Sequence, residues 1–250
     1  MPQVLLPAAL ADALTGTNNN SRNDITLSIN STIGTGSSCL NGRTFYLGLD
    51  HANGTNVDLL NVLLHEFGHG LGFLSLGDVA GVQPKDSGIS STSVSLFTGF
   101  EQYAFEENSG RYWCAMNDDQ RAAAALSAGT LVFNSPSVNA NNGTLTAGVT
   151  VAGHHLRLYA PTTYSDGSSV SHWDSVASPN LLMEPFITAN VQGLTDLTGC
   201  MLRDIGWPAA RCPDPQGASQ VPLAFNQCIT MLPGASTTIT LLGNTVTGSG

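Results

Sequence analysis

The chain has 250 residues, 42% of them hydrophobic and only 10% charged, so it can bury a full core while Ser, Thr, Asn and Gly cover its surface. Its formal net charge is −10 with a single lysine, Lys85, which argues against nucleic acid or an anionic membrane as a partner. No stretch is long and apolar enough to cross a membrane, so no transmembrane segment is expected.

Residues 7–14 predict a short helix, opened by Pro7 and closed before Gly16. A polar loop covers 18–23. Residues 24–30 alternate apolar and polar and predict a strand, and 44–49 predict a second. His51 lies in the loop that leads into a helix. Leu60, Leu63, Leu64, Phe67 and Leu71 repeat there at amphipathic spacing. Thr55 or Asn56 can cap its start, Asp58 suits the positive end of its dipole, and Gly70 and Gly72 supply its stop. Strand, loop and helix in that order predict a helix lying against one face of a mixed sheet.

Beyond Phe73, residues 97–107 are aromatic and acidic. Residues 117–128 predict a helix with Asp118 near its start and Gly129 at its end. Leu131 to Phe133 predicts a short strand, and 134–150, rich in Asn, Gly, Ser and Thr, predicts surface loop and edge strand. Residues 194–205 predict a helix with Leu197, Met201, Leu202 and Ile205 on one face. After Pro208 the composition shifts to that of a linker, and 237–242 resembles a first strand of something further.

The helix carries His65-Glu66-Phe67-Gly68-His69. Residues four apart share a helix face, so both rings can address one metal ion. Glu66 is turned about 100° away, within reach of a water at that ion. Two imidazoles, a carboxylate base and an open position are what a zinc hydrolase needs. A catalytic zinc takes a third protein ligand. A histidine six residues past His69, the short metzincin spacing, is absent, since Ser75 stands there. Glu101, Glu106 and Glu107 are downstream carboxylate candidates. His172, in Ser171-His172-Trp173-Asp174 with Leu182-Met183-Glu184-Pro185 beyond it, is the other.

His65-Glu66-x-x-His69-x-x-Gly72, a long insertion, then Ser-His-Trp-Asp and Leu-Met-Glu-Pro, resembles the leishmanolysin-like metzincin peptidases over roughly residues 45–207. The resemblance implies that His65, His69 and His172 bind Zn2+, that Glu66 is the catalytic base and that Met183 forms the Met-turn beneath the metal. Asp174 is a candidate hydrogen-bond partner for a ligand histidine. The implied fold is α+β and metzincin-like: a twisted mixed sheet packed on the active-site helix, with a smaller C-terminal subdomain. The zinc site and fold carry over, not the family's regulation or membrane anchor.

The expected organisation is a catalytic domain over 1–208, with an insertion at about 76–150, followed by a linker and a β-rich segment or tail over 209–250. The expected activity is zinc-dependent hydrolysis of peptide bonds in extracellular proteins. The rival expectation is a catalytically silent adhesion module that keeps zinc for structure. Low charge and five cysteines favour a secreted protein with disulfides, and Cys200–Cys212 and Cys39–Cys114 are the pairs expected, with no CxxC pair to suggest a thiolate zinc site. The opening Met-Pro-Gln-Val-Leu-Leu-Pro is no convincing signal peptide, so export implies a start lying outside this sequence.

Overall fold

The structure, a computed structural model, describes residues 4–18, 23–30, 33, 42–86, 94–186, 196–207, 210, 212, 223–224 and 245–246. The described residues form a mixed α+β molecule of five α-helices and several small sheets. Strand β1 (Val4–Leu5) precedes α1 (Ala8–Thr15), which starts after Pro7 and stops at Gly16 in the left-handed conformation. Strands β2 (Phe45–Tyr46) and β3 (Val57–Asp58) pair in parallel and lead directly into α2 (Leu59–Gly70). Next come β4 (Lys85–Asp86), β5 (Val94–Ser95), β6 (Phe97–Thr98), β7 (Ala104–Glu106) and β8 (Arg111–Tyr112). Helix α3 (Asp118–Ala124), β9 (Leu131–Phe133), α4 (Pro136–Asn141), β10 (Leu156–Arg157) and α5 (Leu197–Ile205) follow, and β11 (Leu223–Ala224) pairs antiparallel with β12 (Thr245–Val246).

One twisted mixed sheet was expected; the structure has small ones instead. The four-stranded sheet, in the order β10–β9–β7–β8, is antiparallel throughout, and parallel pairing among the described residues is confined to β1–β6 and β2–β3. The frequent Gly, Asn and Ser residues keep each apolar run too short for long ladders. The strand predicted over 24–30 does not form among those residues; Ile25 instead lies against the end of α2, where Gly70 has no Cβ to obstruct it.

Helix boundaries follow their caps. Asp58, not Thr55 or Asn56, caps α2, its Oδ1 accepting from the amides of Leu60 at 2.9 Å and Asn61 at 3.3 Å. Asn117 and Gln120 form a reciprocal capping box on α3, which ends at Ala124 rather than at 128. The loop and edge strand predicted over 134–150 is largely α4 and a following 3-10 turn (Asn142–Thr144). Pro136 opens α4, and its amides are capped from α5. Asp204 Oδ2 accepts from Ser137 N at 2.9 Å, Val138 N at 3.3 Å and Ser135 Oγ at 2.5 Å. A cap supplied from a helix so distant in sequence leaves no local signal.

The core lies between α2, the four-stranded sheet and α5. Phe73 stacks within 4.6 Å of both Phe100 and Trp173, and Phe133 of β9 closes the group at 4.9 Å from Phe100 and 5.5 Å from Trp173. All four are fully buried, which for side chains of this size is about 2–3 kcal/mol each. Phe73 and Trp173 each adjoin a segment bearing a candidate ligand, so the cluster fixes those segments relative to one another. Leu197, Met201 and Ile205 are buried on α5 as its pattern predicts, whereas Phe67 on α2 is 41% exposed, outside the apolar face assigned to it. A disulfide joins Cys200 to Cys212. Cys39 of the other expected pair lies outside the described residues, as do the strand predicted over 237–242 and most of 209–250.

Candidate metal centre

Helix α2 presents His65 and His69 on one face, and the loop after β10 brings His172 to them from 103 residues beyond His69. The three Nε2 atoms form a nearly equilateral triangle: 3.1 Å from His65 to His69, 3.2 Å from His69 to His172 and 3.2 Å from His172 to His65. Two imidazoles bound to one zinc at about 2.0–2.1 Å and tetrahedral angles bring their nitrogens to roughly this separation.

Each ring turns its other nitrogen to a main-chain carbonyl. Nδ1 lies 2.8 Å from Leu182 O in His65, 2.7 Å from Phe73 O in His69 and 2.9 Å from Ser168 O in His172. A carbonyl only accepts, so each Nδ1 carries the proton and each Nε2 of a neutral ring presents a lone pair. Three lone pairs thus converge with no proton between them, an arrangement that calls for a cation at its centre. Burial keeps the rings of His172 and His69 neutral. It pushes His172 down to about 3 and His69 down as well, against the pull of the Phe73 carbonyl. His172 is 5% exposed. Among the described residues this is the one group of three or more His, Cys, Asp or Glu side chains close enough to hold a metal ion.

Met183 is fully buried, with its Sδ against Gly68 of the helix that carries His65 and His69. A Cβ at residue 68 would come within 2.4 Å of that sulfur, so the glycine between Glu66 and His69 lets Met183 approach the helix where it does. Glu66 is exposed beside His69, close enough for its charge to favour protonation of that ring. Gly72, at φ +122°, turns the chain out of α2 so that Phe73 can reach back to His69.

The alternative ligands are engaged elsewhere. Glu101 is buried and takes donors from Ser75, Leu76, Gln83 and Thr98. Glu106 caps the turn at Asn108 and Ser109, and Glu107 holds His155 and Thr150. Asp174 does not orient a ligand histidine. It lies 3.5 Å from Arg157 Nε and accepts from Val176 N, because main-chain carbonyls have taken the Nδ1 protons. His51 faces Asp58 at 2.7 Å. The carbonyls of Leu182, Phe73 and Ser168 went unseen in the sequence because any residue type supplies one. Gly68 did leave a signal, as a glycine inside a helix.

Comparison of the chain with protein families, with curated proteins and with solved structures finds no match.

Proposed function

We propose that this protein is a zinc-dependent endopeptidase of the leishmanolysin-like metzincin type, acting outside the cell on proteins or peptides. The observation that carries this reading is the triangle of neutral Nε2 atoms, held by three main-chain carbonyls, with the exposed carboxylate of Glu66 beside it. The disulfide and the absence of a membrane-spanning helix among the described residues are compatible with export.

His65, His69 and His172 would hold the zinc, whose chemistry there is that of a Lewis acid polarising a scissile carbonyl and acidifying water. The protein's own contribution is positional and acid–base. Glu66 accepts a proton from the attacking water and returns it to the amine of the departing peptide. Met183, Phe73 and Trp173 are fully buried, whereas Glu66 is open to solvent and to a substrate.

A ligand set of three histidines supports catalysis over a structural role, since a structural zinc is closed by four protein ligands. Cleavage of casein, abolished by a chelator and by Glu66→Gln, is the test. Zinc retained without any cleavage would mark the silent adhesion module instead.

A further inference from the structure

Ser75 stands six residues past His69, and its main chain is tied to the residue that precedes His172. The amide of Ser75 donates to Ser171 Oγ at 3.0 Å, and that hydroxyl donates to Ser75 O at 3.4 Å. The Ser75 side chain points the other way, its Oγ donating to Glu101 Oε1 at 2.7 Å. Glu101 is 0% exposed. Besides Ser75, its carboxylate accepts from Leu76 N at 3.1 Å, Gln83 Nε2 at 3.1 Å and Thr98 N at 2.8 Å. An acceptor-only group is what this cradle needs: four donors converge on two oxygens, and an amide in its place would set N–H against N–H.

The turn that delivers His172 is under backbone strain. Val170 has φ +69°, a region that β-branched residues avoid, and is buried. Such a conformation persists only where its surroundings impose it. On one side Val170 N donates to Tyr159 O at 2.8 Å; on the other, Ser171 is clasped by Ser75.

We propose that Glu101, Ser75 and Ser171 are positioning residues for the third histidine, a latch running from a buried carboxylate through the segment after α2 to the neighbour of His172. The latch rests on the metal-binding reading of the three histidines. It makes the segment after α2 serve both ends of the site: Phe73 O orients His69, and Ser75, two residues on, secures the turn that carries His172. Metal affinity therefore depends on hydroxyl groups that touch no metal.

The test uses the full chain and zinc itself, with affinity measured by competition against a chromophoric chelator. Ser171→Ala and Ser75→Ala each delete one hydroxyl of the latch. Ser135→Ala deletes a hydroxyl that is buried like that of Ser171 and that, like that of Ser75, donates to a carboxylate, here Asp204, outside the site. The expected result is zinc binding 10–100-fold weaker in Ser171→Ala and Ser75→Ala, with Ser135→Ala unchanged even where its unfolding midpoint falls as far. Binding within twofold of wild type in both latch variants, or equal weakening in Ser135→Ala, overturns the proposal. A second readout is taken without metal. The His172 Nδ1–H proton, assigned by its loss in His172→Gln, is expected to be protected from exchange in the wild type and in Ser135→Ala but not in Ser171→Ala. If the wild type takes up no zinc, the metal reading fails and this resonance alone decides the latch: retained in Ser171→Ala, it overturns it.

Discussion

The carbonyl of Leu182 lies 2.8 Å from Nδ1 of His65, across 117 residues of sequence. The amide of the same residue donates to Asp196, which caps α5 by accepting from Thr198 N at 2.8 Å. One residue therefore orients the His65 ring through its carbonyl and joins α5 through its amide. Asp196→Ala removes the cap and frees the Leu182 amide. The expected cost is about 1–2 kcal/mol in urea unfolding, together with weaker metal retention that a cap serving only the helix would not produce.

The triangle of Nε2 atoms predicts about one zinc per chain by elemental analysis. His172→Ala is expected to lose most of it, and so is His69→Ala. A His172→Ala protein that keeps zinc at full affinity would return the third-ligand assignment to the rest of the chain.

Glu66 is exposed and shares none of the hydrogen bonds that hold the rings, so changing it leaves the ligands in place. Glu66→Gln is expected to retain zinc and to cleave casein slower by several orders of magnitude. Chromatographic zinc content and turnover, measured on the same preparation, check both halves.

Next to Met183, Glu184 is 2% exposed, and one of its oxygens has no hydrogen-bond partner while the other accepts from Leu181 N at 2.7 Å. Burial pushes its carboxyl up to about 7, and the charges of Asp196 and Asp174 push in the same direction against the Leu181 amide. The folded protein thus keeps a proton that the unfolded chain releases above about 4.5. This group's contribution to stability is full below that pH and is lost as pH rises towards 7. Glu184→Gln is expected to remove that decline and to be the more stable protein at pH 8, as read from urea midpoints across pH 4.5 to 8.

The Cys200–Cys212 bond closes a loop of 12 residues that runs from α5 past Trp207, whose indole donates to Leu71 O at the end of α2 at 2.8 Å. Replacing both cysteines by serine is expected to lower stability by about 3 kcal/mol, the chain-entropy value for a loop of this length. Thermal unfolding with and without a thiol reductant gives the same comparison on the unmodified chain.

The helices and the paired histidines were legible in the sequence wherever the signal was local. His65 and His69 lie on one helix whose period is explicit, and Pro7, Gly16 and Asn117 sit at helix ends, whereas α5 starts after Asp196 and not at the 194 predicted. That His172 would join this pair was expected only through its spacing in a family pattern, because nothing local distinguishes it from a buried core residue. What escaped was supplied at a distance: the Asp204 cap on α4, the carbonyls behind each ring, and Glu101, read as a possible ligand but engaged by donors from three other segments. The sheets were overestimated for a related reason. Alternation over 24–30 describes a segment with one sheltered side, and Ile25 gains that shelter from a helix end rather than from a neighbouring strand.

His172 arrives 103 residues after His69, and the carbonyl that orients His65 comes ten residues later still. During synthesis α2 therefore leaves the ribosome with two rings and no partner for them, and it waits through the whole of the four-stranded sheet before the third appears. Long-range closure of this kind is the slow part of folding. A nascent chain, or one cut anywhere between α2 and Met183, carries the His-Glu-x-x-His sequence yet lacks the site. The order of residues along the chain thus delays the gathering of the three histidines until the segment carrying His172 has been made.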